Sequence, residues 1–221
     1  MIKNAINDFI LGMKLIRYGF RPKMNLGLCL FFIIIGVAVE IGSKGTEFLG
    51  IFYMLLSGLY AFQMIISMDI STFVQTSKMK RALQTSVPII TGAMVSLTVY
   101  TFIVIERLIL ASIYPEESVA IINSLFMAIL LVGITLIYEG ICYKYFGLAT
   151  GIMIVAVFGV LGVCNFLFDE NTVVPIPTGA VVGIGYAVIF VFAIIAYALC
   201  RILYKKDLSK FAFKGILGKM E

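Results

Sequence analysis

Six stretches of this chain stay apolar for about 20 residues each, the length at which an α-helix crosses the hydrocarbon of a bilayer. They occupy residues 24–41, 48–70, 88–114, 118–142, 148–168 and 178–203. Hydrocarbon offers no water to backbone N–H and C=O groups, so only helices or a closed barrel can fill it. The runs are built from Ile, Leu, Val, Phe and Gly without the strict alternation of barrel strands, which leaves helices. The fold class expected is therefore all-α, a polytopic membrane protein with a six-helix transmembrane domain over 24–203. Only 13% of the 221 residues are charged, where a soluble domain carries about 25%.

Residues 1–23 have a different pattern. Ile2, Ala5, Ile6, Phe9, Met13, Ile16 and Phe20 fall on one side of a helix, with Lys3, Asn7, Lys14, Arg17 and Arg21 largely on the other. That spacing predicts an amphipathic helix lying in the membrane interface, its apolar side among lipid tails. A secretory signal is excluded by the long charged part and by the lack of a small-residue cleavage site.

The cations fix an orientation, because Lys and Arg accumulate on cytoplasmic segments. Five lie in 1–23, three in the segment 71–87, one in the 143–147 turn and six from Arg201 onward; only Lys44 and Arg107 remain for the other side. Glu47, Glu116, Glu117, Asp169 and Glu170 fall with those two. Both termini, including the basic tail 204–221, are expected in the cytosol of a cell with this chain in its plasma membrane.

The segment 71–87 is the one long polar interruption with an amphipathic pattern of its own. Ser77 suits an N-cap, Lys78, Lys80 and Arg81 point to solvent, Met79 and Leu83 lie four apart on an apolar side, and Pro88 forces a new start. A short cytoplasmic helix is expected there.

Chemistry-bearing motifs are few. Gly215-Ile-Leu-Gly-Lys-Met has the wrong spacing for a phosphate loop and lacks its Ser or Thr. There is no His, and Cys29, Cys142, Cys164 and Cys200 stand singly, so no metal or cofactor site is expected and the cysteines are read as small apolar packers. Glu40 and the adjacent Glu106 and Arg107 fall toward the outer side and are candidates for a cavity rim or gate; being about 100° apart on a helix, Glu106 and Arg107 do not simply face each other. Asp69 and Glu139 lie toward the cytoplasmic side as end-of-helix charges. Gly147 with Gly151 and Gly179 with Gly183 have the spacing that lets helices approach, read here as internal packing ahead of a subunit interface.

In order of parts, with an amphipathic helix over 1–23, six spans with both ends inside and the polar segment Gln75-Thr-Ser-Lys-Met-Lys-Arg-Ala-Leu-Gln-Thr-Ser-Val-Pro88, the chain resembles the membrane subunit of an ABC-2 type ATP-binding-cassette exporter. The resemblance implies that Ser77, Lys78, Lys80, Arg81, Leu83 and Gln84 form a coupling helix docked into a separate ATPase. ATP and Mg would sit on that partner, and this chain would be no enzyme. It further implies a second permease chain, identical or different, no nucleic-acid partner, a lipophilic or amphipathic substrate moved outward by alternating access, and a small re-entrant element before the last span, where only 163–178 is available. The residues alone leave two alternatives open, the substrate-capture membrane subunit of a vitamin importer and a membrane anchor or immunity protein without transport activity.

Overall fold

The computed structural model of the chain describes residues 2–19, 21–69, 74, 76–167 and 177–207, with the backbone alone at 2–4, 68, 69 and 164–167. Phe20, residues 70–73, Gln75, residues 168–176, where most of the loop expected outside and of the implied re-entrant element falls, and the tail from 208 lie outside the described residues, as do the side chains of Asp69 and Cys164.

Every regular element described is helical: α1 (Ile2–Ile16), α2 (Pro22–Gly42), α3 (Leu49–Asp69), α4 (Lys80–Leu83), α5 (Ser86–Ile113), α6 (Ser118–Ile141), α7 (Phe146–Leu167) and α8 (Thr178–Leu203). Six helical stretches are long and apolar enough to cross a membrane, α4 and α5 counting together as Lys80–Ile113. Prolines set several boundaries. Pro22 opens α2, where its missing N–H costs no helical bond. Pro115 drives Tyr114 out of the helical region (φ −118°, ψ 75°), ending α5 and starting a 3₁₀ turn over Pro115–Glu117.

α6 is the hub. It packs on α3, α5, α7 and α8, whereas α2 packs chiefly on α3 and α7 chiefly on α6. Ile51 and Met54 of α3, Tyr100 and Ile103 of α5, and Leu125 and Leu136 of α6 form the dry centre. Phe31 and Ile34 of α2, Val155 and Phe158 of α7, and Phe190 and Ile202 of α8 are exposed on the outside. Helices apolar both inward and outward are satisfied only where the surrounding solvent is itself apolar.

Two expectations need correction. α1 does not present its whole apolar stripe outward: Ile16 is buried with Met64 and Ile65 of α3, and Leu11 and Leu15 pack on the cluster of Val74, Leu83 and Val87. Gly12 of α1 lies against Thr91 of α5, and Gly19, just beyond the end of α1, against the Met64 backbone, so the absence of side chains lets α1 and the turn after it dock closely on the bundle. Ile6, Ile10 and Met13 stay exposed, as do Lys14 and Arg17. The second correction concerns Gly147, Gly151, Gly179 and Gly183, none of which has a neighbour among the described residues where a Cβ would stand. They do not bring helices together within this chain; that is done by Gly133 against Phe192 and Gly140 against Ala196.

Candidate functional site

From Ser77 on, the polar segment before α5 folds as a turn followed by the single helical turn α4. Ser77 does not cap α4, whose N-cap position is Met79; its Oγ accepts the Met79 N–H at 3.1 Å, and its carbonyl accepts the Lys80 N–H at 3.1 Å. Lys78, Met79 and Arg81 are exposed and Lys80 is half-buried. Met79 therefore departs from the expected apolar side, because α4 is too short to carry both it and Leu83 on one face. Leu83 is buried with Val74 and Val87 beneath α1, and Gln84 is only 2% exposed. The six residues thus divide between an outward surface (Ser77, Lys78, Lys80, Arg81) and a root clamped in the bundle (Leu83, Gln84).

Pro88 explains how that root is held. Lacking an N–H, it cannot bond the carbonyl four residues earlier, which belongs to Gln84. That carbonyl instead accepts the Cys200 thiol of α8 at 3.1 Å. Thr85 Oγ1 donates to the Arg81 carbonyl at 2.6 Å, covering another unpaired group at the end of α4. α5 starts at Ser86, two residues before the expected Pro88, since a proline is tolerated throughout a first helical turn.

At the opposite end of the bundle the structure brings Glu40 and Arg107 together. The carboxylate and guanidinium form an ion pair at 2.5 Å, both side chains 0% exposed. Glu40 Oε1 also accepts the Ile51 N–H at 2.9 Å, so the acid occupies the positive end of α3. Arg107 donates to the carbonyls of Gly45 and, at 3.2 Å, Glu47, fastening α5 to the turn between α2 and α3. Gly45 stands at φ +77° in that turn, a left-handed conformation natural to glycine, with Leu110 and Ile121 crowding it. Glu106 stays beside the cluster, its Oε2 3.5 Å from Arg107 Nε. The three outer candidates are therefore neighbours, and Arg107 finds its main partner 67 residues away on α2 rather than next door. In this conformation the cluster is a dry, closed contact.

Glu139 is the residue the sequence misplaced. Expected as an ordinary charge near a helix end, it is 0% exposed, and neither carboxylate oxygen has a hydrogen-bond partner among the described residues. Gly92 of α5 lies directly against the carboxylate, with no room for a side chain. The position two residues from the end of α6 suggested contact with water; the close packing of α5 and α8 over that end removes it.

A further feature not singled out in the sequence lies beside α4, where Lys144 from the α6–α7 turn and residues 204–207 after α8 enclose a cavity of about 320 Å³ with Lys80 and Gln84. The only signal in the sequence was charge, counted there toward orientation alone. Among the described residues no group of three His, Cys, Asp or Glu is placed to hold a metal. Comparison of the chain with family models, with curated proteins and with solved structures gives no match.

Proposed function

We propose that this chain is the membrane subunit of an ATP-driven exporter of the plasma membrane, moved by separate ATPase subunits that carry ATP and Mg and grip it at the turn before α5. A second permease chain would complete the path for a lipophilic or amphipathic substrate. The observation that supports this reading is the division of the turn itself. Lys78, Met79 and Arg81 stand free, while Leu83 and Gln84 are anchored among α1, α5 and α8. A partner holding the outward side would transmit its movement to three helices at once, which a flexible loop would not do. The exposed apolar faces of α2, α7 and α8 suit lipid or a second chain.

The test is recovery of ATPase activity with the tagged chain purified from its own membrane. Lys78→Glu with Arg81→Glu reverses two exposed charges and should cut that recovery tenfold or more, about 1.4 kcal/mol or above. Folding should be unaffected, because exposed substitutions change stability by about 0.5 kcal/mol at most. Undiminished recovery would remove the turn as the coupling site. The closed Glu40–Arg107 contact favours a second reading, a membrane anchor without transport, which predicts that no ATPase accompanies the chain. Orientation is tested with single cysteines at Ser43 and Ser77 in a chain freed of native cysteines. The first should react with an impermeant reagent outside intact cells, and the second only after lysis.

A further inference from the structure

The cavity beside α4 has the composition of an anion site. Lys80, Lys144, Lys205 and Lys206 contribute four positive charges to its wall, opposed by the one carboxylate of Asp207. Part of that charge has an internal use: Lys144 Nζ donates to the Lys206 carbonyl at 2.6 Å and stands 5.9 Å from the Tyr204 ring centre. The other lysines are not accounted for by such bonds among the described residues. The inner wall includes Gln84, whose side-chain amide nitrogen is buried and has no hydrogen-bond partner among the described residues. A buried donor without an acceptor costs about 1–3 kcal/mol, so an acceptor brought into the cavity would recover part of that loss.

We propose that this cavity binds a phosphate group, with Lys80 and Lys144 supplying charge and Gln84 donating from the inner wall. The volume, about 320 Å³, accepts a phosphate with its hydration or the esterified head of a lipid. Its place at the end of the spans, where α4, the α6–α7 turn and the end of α8 converge, is the depth at which an anionic phospholipid presents its head group. Burial above all holds the Lys144 ammonium below its ordinary pKa; Cys200 opposes it, Lys80 adds to it by a smaller amount, and Asp207 opposes it least. A bound anion would relieve both pressures. The inference does not depend on the export reading, since an anchor protein would use such a site equally well.

The experiment titrates the full purified chain, stripped of lipid in a neutral detergent, and follows its Tm and its native mass spectrum. The additions are dioleoyl phosphatidylglycerol, dioleoyl phosphatidylcholine, inorganic phosphate, and sodium chloride at matched ionic strength. Phosphatidylglycerol should saturate, with Lys144→Gln and Lys80→Gln each weakening apparent affinity about fivefold to tenfold and Gln84→Ala doing so without any change of charge. Lys144→Arg should restore most of the loss. Lys14→Gln and Arg17→Gln, exposed cations at and just beyond the end of α1, should leave affinity unchanged. Saturation by inorganic phosphate as well would identify the phosphate alone as the ligand, whereas saturation by the lipid alone would identify the head group; either outcome supports the site. Overturning results are an absence of saturation in every arm, equal response to chloride, or equal weakening by the α1 controls.

Discussion

Removing either charge from the Glu40–Arg107 pair should destabilise the bundle far more than removing both. Arg107→Met keeps most of the side-chain length but leaves the Glu40 carboxylate buried with one remaining hydrogen bond, from the Ile51 N–H. Loss of one partner from a buried pair costs about 3–5 kcal/mol. The carbonyls of Gly45 and Glu47 also lose their donor, a loss that this variant shares with the double variant. Glu40→Met leaves the guanidinium with two carbonyls and no counter-charge and falls in the same range. The double variant leaves no buried charge, and its remaining losses are the acid at the start of α3, about 1 kcal/mol as for other helix caps, and the donor to the buried Gly45 carbonyl, also about 1 kcal/mol. In a chain of this size each kcal/mol moves Tm by about 2–4 °C, so each single variant should melt about 6–20 °C lower in detergent, and the double variant should recover most of that. Thermal unfolding of all four proteins closes the cycle. If the two losses simply add, to within about 0.5 kcal/mol, the pair is not the coupled unit described here.

Other outcomes follow from neighbouring contacts. Gly50→Ala would place a methyl group in the Glu40 carboxylate and should cost about 1–3 kcal/mol; in a Glu40→Ala background the same change should cost almost nothing, as read from Tm. Gly12→Leu would collide with Thr91 and should loosen α1 from α5, seen as faster tryptic cleavage at Lys14 and Arg17; an unchanged cleavage rate would mean that α1 is not held by this approach. Glu139→Met replaces a buried acid that has no hydrogen-bond partner with an apolar side chain of similar length. It should raise stability by about 1–3 kcal/mol, the cost of such an unmet group, and a lowered Tm would show that the acid has a structural role not explained by its present contacts.

The spans were legible to within a few residues because bilayer thickness sets their length and prolines set several of their ends, both of which are local properties of the chain. Contacts between helices were less so. Hydropathy registers Gly12 and Gly19 only as weakly apolar, yet their lack of a side chain decides which face of α1 meets the bundle. The partner of Arg107 lies 67 residues away, and helical geometry alone could show only that Glu106 was poorly placed to be it. Glu139 looked peripheral because position along α6 was used as a measure of depth, whereas its burial comes from Gly92 and from the approach of α8 at Gly140. Leu83 and Met79 differ because the helix between them is a single turn, which sequence periodicity cannot establish from four residues.

The distance along the chain between Glu40 and Arg107 also imposes an order on biogenesis. When synthesis of the hairpin of α2 and α3 is complete at Asp69, its acid already has the Ile51 amide within reach, but the arginine is still 38 residues from being made. At synthesis rates of about 5–20 residues per second the finished hairpin waits roughly 2–8 s for its counter-ion. During that interval the turn joining α2 to α3 lacks the guanidinium that will fasten it, and only the arrival of α5 locks the first half of the nascent chain in place.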